Sequence, residues 1–236
     1  MVIVDLFQDP AVEAALTNWD YWCCKMMGLC LRLSLLLSAI FLSSAPNAMA
    51  WDDRPSELYT LCKSCHGQDG TGNEGVGAPA IAGLPEWYLK AQLDKFSQGL
   101  RGAHAKDLRG MRMRPVGRTL TEENRASIAK YVSSLPRPKV PDTIQGNLAK
   151  GEATFGVCTA CHGADALGNQ AVNAPPTAGN NDWYLLTQLK NFKNKVRGSD
   201  PIKDPNGAAM AGIAMTLDDQ AMINVVAYIN ALKPAK

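Results

Sequence analysis

Apolar side chains recur three and four residues apart in four stretches of the chain, and polar positions fill the gaps between them. Leu89, Leu93 and Phe96 share one side of a predicted helix that has Pro85 in its first turn, runs through Gln98 and stops at Gly99. Leu185, Leu189 and Phe192 repeat that pattern, with Asn181 or Asp182 able to cap the helix. A third helix follows a Thr121 cap and carries Ile128, Val132 and Leu135. A fourth follows Asp218 and carries Ile223, Val226, Ala227 and Asn230. Gly- and Pro-rich loops separate these helices, and no alternating apolar–polar run is long enough for a strand. The predicted fold class is all-α.

The helices come in pairs because the chain is duplicated. Trp87-Tyr88-Leu89 returns as Trp183-Tyr184-Leu185, Gln92-Leu93 as Gln188-Leu189, Phe96 as Phe192, and Arg101-Gly102 as Arg197-Gly198, all at an offset of 96. One inserted residue later, Thr119-Leu120 matches Thr216-Leu217 and Tyr131 matches Tyr228 at an offset of 97. The join, Leu135 to Gly146, holds three prolines and reads as a stiff, extended connection. The expected domains are 51–140 and 141–236. Units of this size bury a limited core, so a large apolar cofactor would supply missing surface.

Residues 1–50 do not read as part of either copy. Gly28 to Ser44 is Leu-rich with Arg32 as its one charge, Lys25 precedes it, and Ala48-Met49-Ala50 offers small residues for a signal peptidase. This is the layout of a secretory leader cleaved after Ala50. The apolar run is short for a membrane span, although an uncleaved anchor is the competing reading. Met1 to Cys24 holds four acids and no base, which suits no leader and suggests that translation starts at Met26 or Met27. Cleavage leaves 22 Lys and Arg against 18 Asp and Glu. Nothing in that balance calls for nucleic acid, and no transmembrane span is expected in the mature chain.

Cleavage also removes Cys23, Cys24 and Cys30. The four remaining cysteines all lie in Cys-x-x-Cys-His runs, Cys62-Cys65-His66 and Cys158-Cys161-His162, again 96 apart. Two cysteines one helical turn apart can both reach the vinyl edge of a porphyrin, and the adjacent histidine is then carried beneath the iron. A thioredoxin-type pair would need a βαβ setting, and a zinc site would have to bridge the two copies. Two small disulfides would leave both histidines unexplained. The reading is two covalently bound haem c groups, held by Cys62, Cys65, Cys158 and Cys161, with His66 and His162 as iron ligands.

Each iron then needs a sixth ligand or an open position. The candidates are Met111, Met113, Met210, Met215, Met222 and His104. Counting back seven residues from the matched leucines Leu120 and Leu217 gives Met113 and Met210, the methionines present in both copies. Met111 aligns with Ala208 and Met215 with Arg118, and His104 has no counterpart. Met113 and Met210 are therefore the expected axial ligands, with Met111 and Met215 as competitors. A methionine thioether raises the reduction potential relative to a second imidazole.

With these motifs in place the chain resembles the cytochrome c4 family and related di-haem class I cytochromes c. The Trp-Tyr-Leu-x-x-Gln-Leu-x-x-Phe stretches at 87–96 and 183–192 carry the resemblance, together with the Met-containing segments before Leu120 and Leu217. The resemblance implies two tandem class I cytochrome c domains related by a pseudo-twofold axis. It also implies His/Met iron in each and haem propionates facing each other across the domain interface. Its departure from the family is that Val116 and Ile213 stand where a second methionine often follows the ligand.

The implied role is periplasmic transfer of single electrons between respiratory or dehydrogenase donors and a terminal acceptor. The partners would be redox proteins, among them a membrane oxidase or a dehydrogenase, and membrane association is left open. The chain reads as an electron carrier rather than an enzyme. The alternatives are a cytochrome subunit of a periplasmic dehydrogenase complex and, less favoured, a di-haem enzyme with a displaceable sixth ligand. Four propionates would bring the holoprotein close to neutral. Residues 51–140 hold 14 bases and 10 acids, while 141–236 hold eight of each. The excess centres on Arg101, Lys106, Arg109, Arg112, Arg114 and Arg118, which form either a docking surface for an acidic partner or a set of propionate-neutralising and solvated side chains.

Overall fold

Capping side chains set where most of the longer helices begin. The computed structural model describes residues 55–232, and the expected leader lies outside them. In the first copy the order is α1 (Pro55–Leu58), α2 (Thr60–His66), α3 (Glu86–Ser97), α4 (Leu108–Thr119) and α5 (Glu122–Ser134). In the second it is α6 (Leu148–Phe155), α7 (Thr159–His162), α8 (Asp182–Lys193), α9 (Pro205–Met215) and α10 (Asp219–Ala231). Among the described residues no strand forms. A single antiparallel bridge in each copy, Asn73 with Ala78 and Asn169 with Ala174, closes the loop after the histidine.

Thr121 and Asp218 cap α5 and α10 as expected, accepting from the amides of Asn124 and Ala221. Asn181 stands at the cap position of α8 but makes no capping bond. Its Oδ1 instead accepts from the Ala80 amide of the first copy at 2.7 Å. The segments holding Met113 and Met210, expected as loops, are helices α4 and α9. Their starts are set by Asp107 and Asp204, whose carboxylates accept from the Gly110 and Gly207 amides. A carboxylate at a helix start also suits the helix dipole. Pro205 fits the first turn of α9, whereas Pro115 lies inside α4, where it removes one backbone donor.

Each copy has its own core. In the first, α5 packs on α1 and α3, and Leu58, Tyr59, Leu89, Leu120, Ile128 and Val132 are buried together. In the second, α10 packs on α6 and α8 around Phe155, Val225, Val226 and Ile229. The duplication is visible in paired rings: Tyr59 on Tyr131 and Phe155 on Tyr228, both at 5.6 Å between centroids. The buried side of α10 is broader than the expected Ile223–Val226–Ala227–Asn230 face and includes Met222, Val225 and Ile229. The physical reason is that α6 and α8 cover two sides of it.

The proline-rich join has no regular element between α5 and α6, and it is tied down at both ends. Arg137 donates to the Ala178 carbonyl at 2.9 Å and to Asn180 Oδ1 at 3.0 Å. The Thr143 and Ile144 amides and the Thr143 hydroxyl all donate to the fully buried Asp182 carboxylate.

Candidate functional site

Helix α2 contains the first Cys-x-x-Cys-His run entirely. In the second copy Cys158 is the cap and α7 carries the rest. Cys62 and Cys158 are half-buried, whereas Cys65 and Cys161 are exposed. Burial, and then the neighbouring cysteine, push the Cys62 and Cys158 thiols up to about 11. A redox-active pair of the thioredoxin kind needs the opposite shift, so these cysteines are poor candidates for thiol exchange.

The two histidines are fixed in the same way. His66 Nδ1 donates to the Pro79 carbonyl and His162 Nδ1 to the Pro175 carbonyl, each at 2.8 Å. A carbonyl only accepts, so the bond holds the proton on Nδ1 and leaves the Nε2 lone pair for a metal. Burial lowers both imidazole pKa values, against the opposing pull of that bond, and keeps the rings neutral.

Two cavities receive these side chains. The first, about 170 Å³, is lined by Cys62, Cys65, His66 and Met113 among apolar residues such as Leu93, Phe96, Ile128 and Val132. The second, about 220 Å³, is lined by Cys158, His162 and Met210 with Leu189, Phe192, Val225 and Ile229. Cys161 does not line it. Met111 and Met215 are 46% and 53% exposed and border neither cavity. Met222 is wholly buried in the core, and His104 is exposed, its Nδ1 accepting from the Lys106 amide. Cys62, Cys65 and His66 border one cavity and Cys158 and His162 the other, so a single zinc would not be shared between the two runs.

A family model described as cytochrome c matches residues 53–136 and again residues 148–233. The chain belongs to the cytochrome c family. A Thiomonas intermedia (strain K12) protein named thiosulfate dehydrogenase electron acceptor is 30% identical over 200 residues, covering 79% of this chain and 86% of the relative. The solved cytochrome c4 of Acidithiobacillus ferrooxidans aligns with a TM-score of 0.60 at 25% identity, over 73% of this chain and 99% of that one. The thiosulfate dehydrogenase TsdBA of Marichromatium purpuratum aligns with a TM-score of 0.60 at 28% identity, over 75% of this chain and 39% of that longer one.

This cytochrome is therefore a di-haem electron-transfer protein with two covalently bound haem c groups, and it is similar in fold to cytochrome c4. Its residues suit that cofactor. Two apolar cavities each hold cysteine, a neutral histidine with a free Nε2 and a thioether. Where the cavities meet, two buried guanidiniums, Arg101 and Arg197, leave their Nε atoms without a partner.

The arginine-rich stretch of the first domain does not form a uniform solvent-facing patch. Arg101 is buried at the domain boundary. Arg109 reaches across that boundary, with its guanidinium 4.7 Å from the Trp183 ring centre and Nη1 donating to the Thr187 hydroxyl at 2.9 Å. Arg112 donates to the Val76 carbonyl, and Arg114 is half-buried. Arg101, Gln92, Tyr88 and their second-copy matches were legible as repeated residues, but a repeat does not say that they meet. Hydrogen bonds between the copies, from Arg101 to Tyr184 and Gln188 and from Arg197 to Gln92, bring them together.

Proposed function

We propose that this cytochrome carries single electrons between a dehydrogenase-type donor and a terminal acceptor in the periplasm. In this reading His66 with Met113 and His162 with Met210 are the axial iron ligands, and Cys62, Cys65, Cys158 and Cys161 carry the thioether bonds. One observation supports it above others. Each cavity gathers the motif histidine and the repeat-matched methionine, while the rival methionines and His104 lie outside. When bound, the haem supplies an iron that takes up and releases one electron.

The protein's own part is to hold the ligands still. The Pro79 and Pro175 carbonyls fix the imidazoles, and α4 and α9 fix the thioethers, so a change of iron charge meets little rearrangement. The apolar walls exclude water and raise the potential together with the thioether. The periplasmic location rests on the expected leader. No helix among the described residues is long and apolar enough to cross a membrane.

A spectroelectrochemical titration of the purified holoprotein tests this reading. Two low-spin transitions, each with the red methionine-to-iron(III) charge-transfer band, are expected. A high-spin haem would overturn the carrier role in favour of an enzyme with a displaceable ligand. A second reading, a cytochrome subunit held on a dehydrogenase, is favoured by the match to part of the longer TsdBA chain. Stoichiometric co-purification with a catalytic partner would select it.

A further inference from the structure

Helix α4 turns one face into its domain and the other out to solvent. Met113 borders the first cavity, and Gly117 lies against Leu93, Phe96 and Ser97 of α3. Leu108, Met111, Arg112, Pro115, Arg118 and Thr119 recur three and four apart on the opposite side, and all six are exposed. Leu108 is 70% exposed. The face thus sets two large apolar side chains and a proline beside two cations. Arg112 Nη1 donates to the Val76 carbonyl at 2.6 Å, and both residues border the first cavity, so that guanidinium is held at the cavity's mouth. Among the described residues no carboxylate forms an ion pair with Arg112 or Arg118. The acids that open α5 are engaged elsewhere, Glu122 with Lys90 at 3.6 Å and Glu123 with Thr121.

The second copy lacks this face. Its matched positions, 97 residues on, are Pro205, Ala208, Ala209, Gly212, Met215 and Thr216. Ala209 stands for Arg112 and Met215 for Arg118, so neither cation has a counterpart. The residues that start the helix and face the cavity are kept instead. Asp107 and Asp204 accept from Gly110 and Gly207, and Met113 is matched by Met210. The two helices are therefore alike inside and different outside. Folding does not demand the cations, since α9 forms without them. Arginine and methionine are favoured at protein interfaces, and cations beside apolar side chains suit a partner of opposite charge. An anionic lipid surface gains little from two cations on a face with no aromatic residue.

We propose that the outward face of α4, centred on Met111, Arg112 and Arg118, docks an acidic redox protein, which exchanges electrons with the first haem and not the second. The inference rests on the carrier reading above. A partner seated there is separated from Met113 by the thickness of one helix, about 10 Å with side chains. One electron crosses at each encounter, from the reduced member of the pair to the oxidised one, and no bond forms or breaks. The two arginines speed the encounter by attraction that salt screens. Leu108 and Met111 then give the complex an apolar contact that salt leaves intact.

The test mixes oxidised holoprotein with flavodoxin hydroquinone, an acidic protein that gives one electron to iron(III) and becomes the semiquinone. Arg112→Gln with Arg118→Gln removes two positive charges from α4. Ala209→Glu with Met215→Glu adds two negative charges at the matched positions of α9, so the net charge falls equally. The α4 pair is expected to slow reduction about tenfold at low ionic strength and to flatten its salt dependence, with the methionine bands unchanged. The α9 pair is expected to slow it less than about twofold. Equal slowing by both pairs is a net-charge effect and overturns the docking face, as does no slowing by either. Amide shifts of the reduced holoprotein on adding oxidised flavodoxin need no variant. They are expected along 108–119, and shifts on α9 instead overturn the proposal. Sedimentation with phosphatidylglycerol vesicles that only the α4 pair abolishes, with flavodoxin rates unchanged, makes this a membrane face and also overturns it. A high-spin haem in the wild-type spectrum defeats the carrier reading instead, a failure read before any mixing.

Discussion

Lys95 Nζ lies 2.7 Å from Asp204 Oδ1, across the boundary between the two domains, and the same oxygen accepts from the Gly207 amide at 2.9 Å to start α9. One carboxylate therefore joins the interface to the helix that carries Met210. Asp204 is almost wholly buried, and its Oδ2 has no partner, so the lysine is its main charge compensation. Lys95→Met should destabilise the holoprotein by about 3 kcal/mol, because it strands a buried carboxylate. It should also weaken the methionine band of the second haem and leave the first unchanged. Denaturant titration followed at that band checks both expectations.

The ligand assignment predicts an asymmetry among the methionines. Met113→Ala and Met210→Ala should each abolish the charge-transfer band of one haem and turn that haem high-spin or water-ligated. Met111→Leu and Met215→Leu should leave spectra and midpoints unchanged, since both side chains are about half exposed and border neither cavity. Magnetic circular dichroism of the oxidised proteins distinguishes these outcomes.

Asp182 predicts an acid limb. Burial opposes its ionisation, but the Thr143 hydroxyl and the Ile144, Thr143 and Trp183 amides outweigh this and hold its pKa below the ordinary 3.8. A carboxyl whose folded pKa is depressed contributes stability that is present above the unfolded value and is lost as pH falls through the folded one. Stability should therefore drop below about pH 4, with the linker at Thr143 and Ile144 released. Asp182→Asn should be less stable at neutral pH and should flatten that part of the profile, as measured by urea unfolding at stepped pH.

Gly102 and Gly198 follow the two buried arginines with φ of +73° and +72°. A Cβ at either would run into the carbonyl of Gly110 or Gly207 at the start of α4 or α9. Gly198→Ala should cost about 2 kcal/mol or more through left-handed strain and that clash. It should also displace Arg197, so a fall in thermal midpoint should accompany a change in haem potential.

The duplication, the all-α class and the haem-binding runs were legible along the chain, and Met113 and Met210 were its expected ligands, because all of these are local spacings or identities at a fixed offset. Helix starts at Thr121 and Asp218 were equally local, each needing a cap and a following amide. Tertiary structure decided what the repeated polar residues do. Gln92 and Gln188 are equivalent in the two copies, yet each bonds the arginine of the other because the domains pack against one another. Asn181 reads as a cap, but the nearby Ala80 amide claims its side chain. The Met-bearing segments read as loops, since Gly and Pro interrupt any apolar period. They are helices because Asp107 and Asp204 cap them, and α3 and α8 provide surfaces for them to pack on.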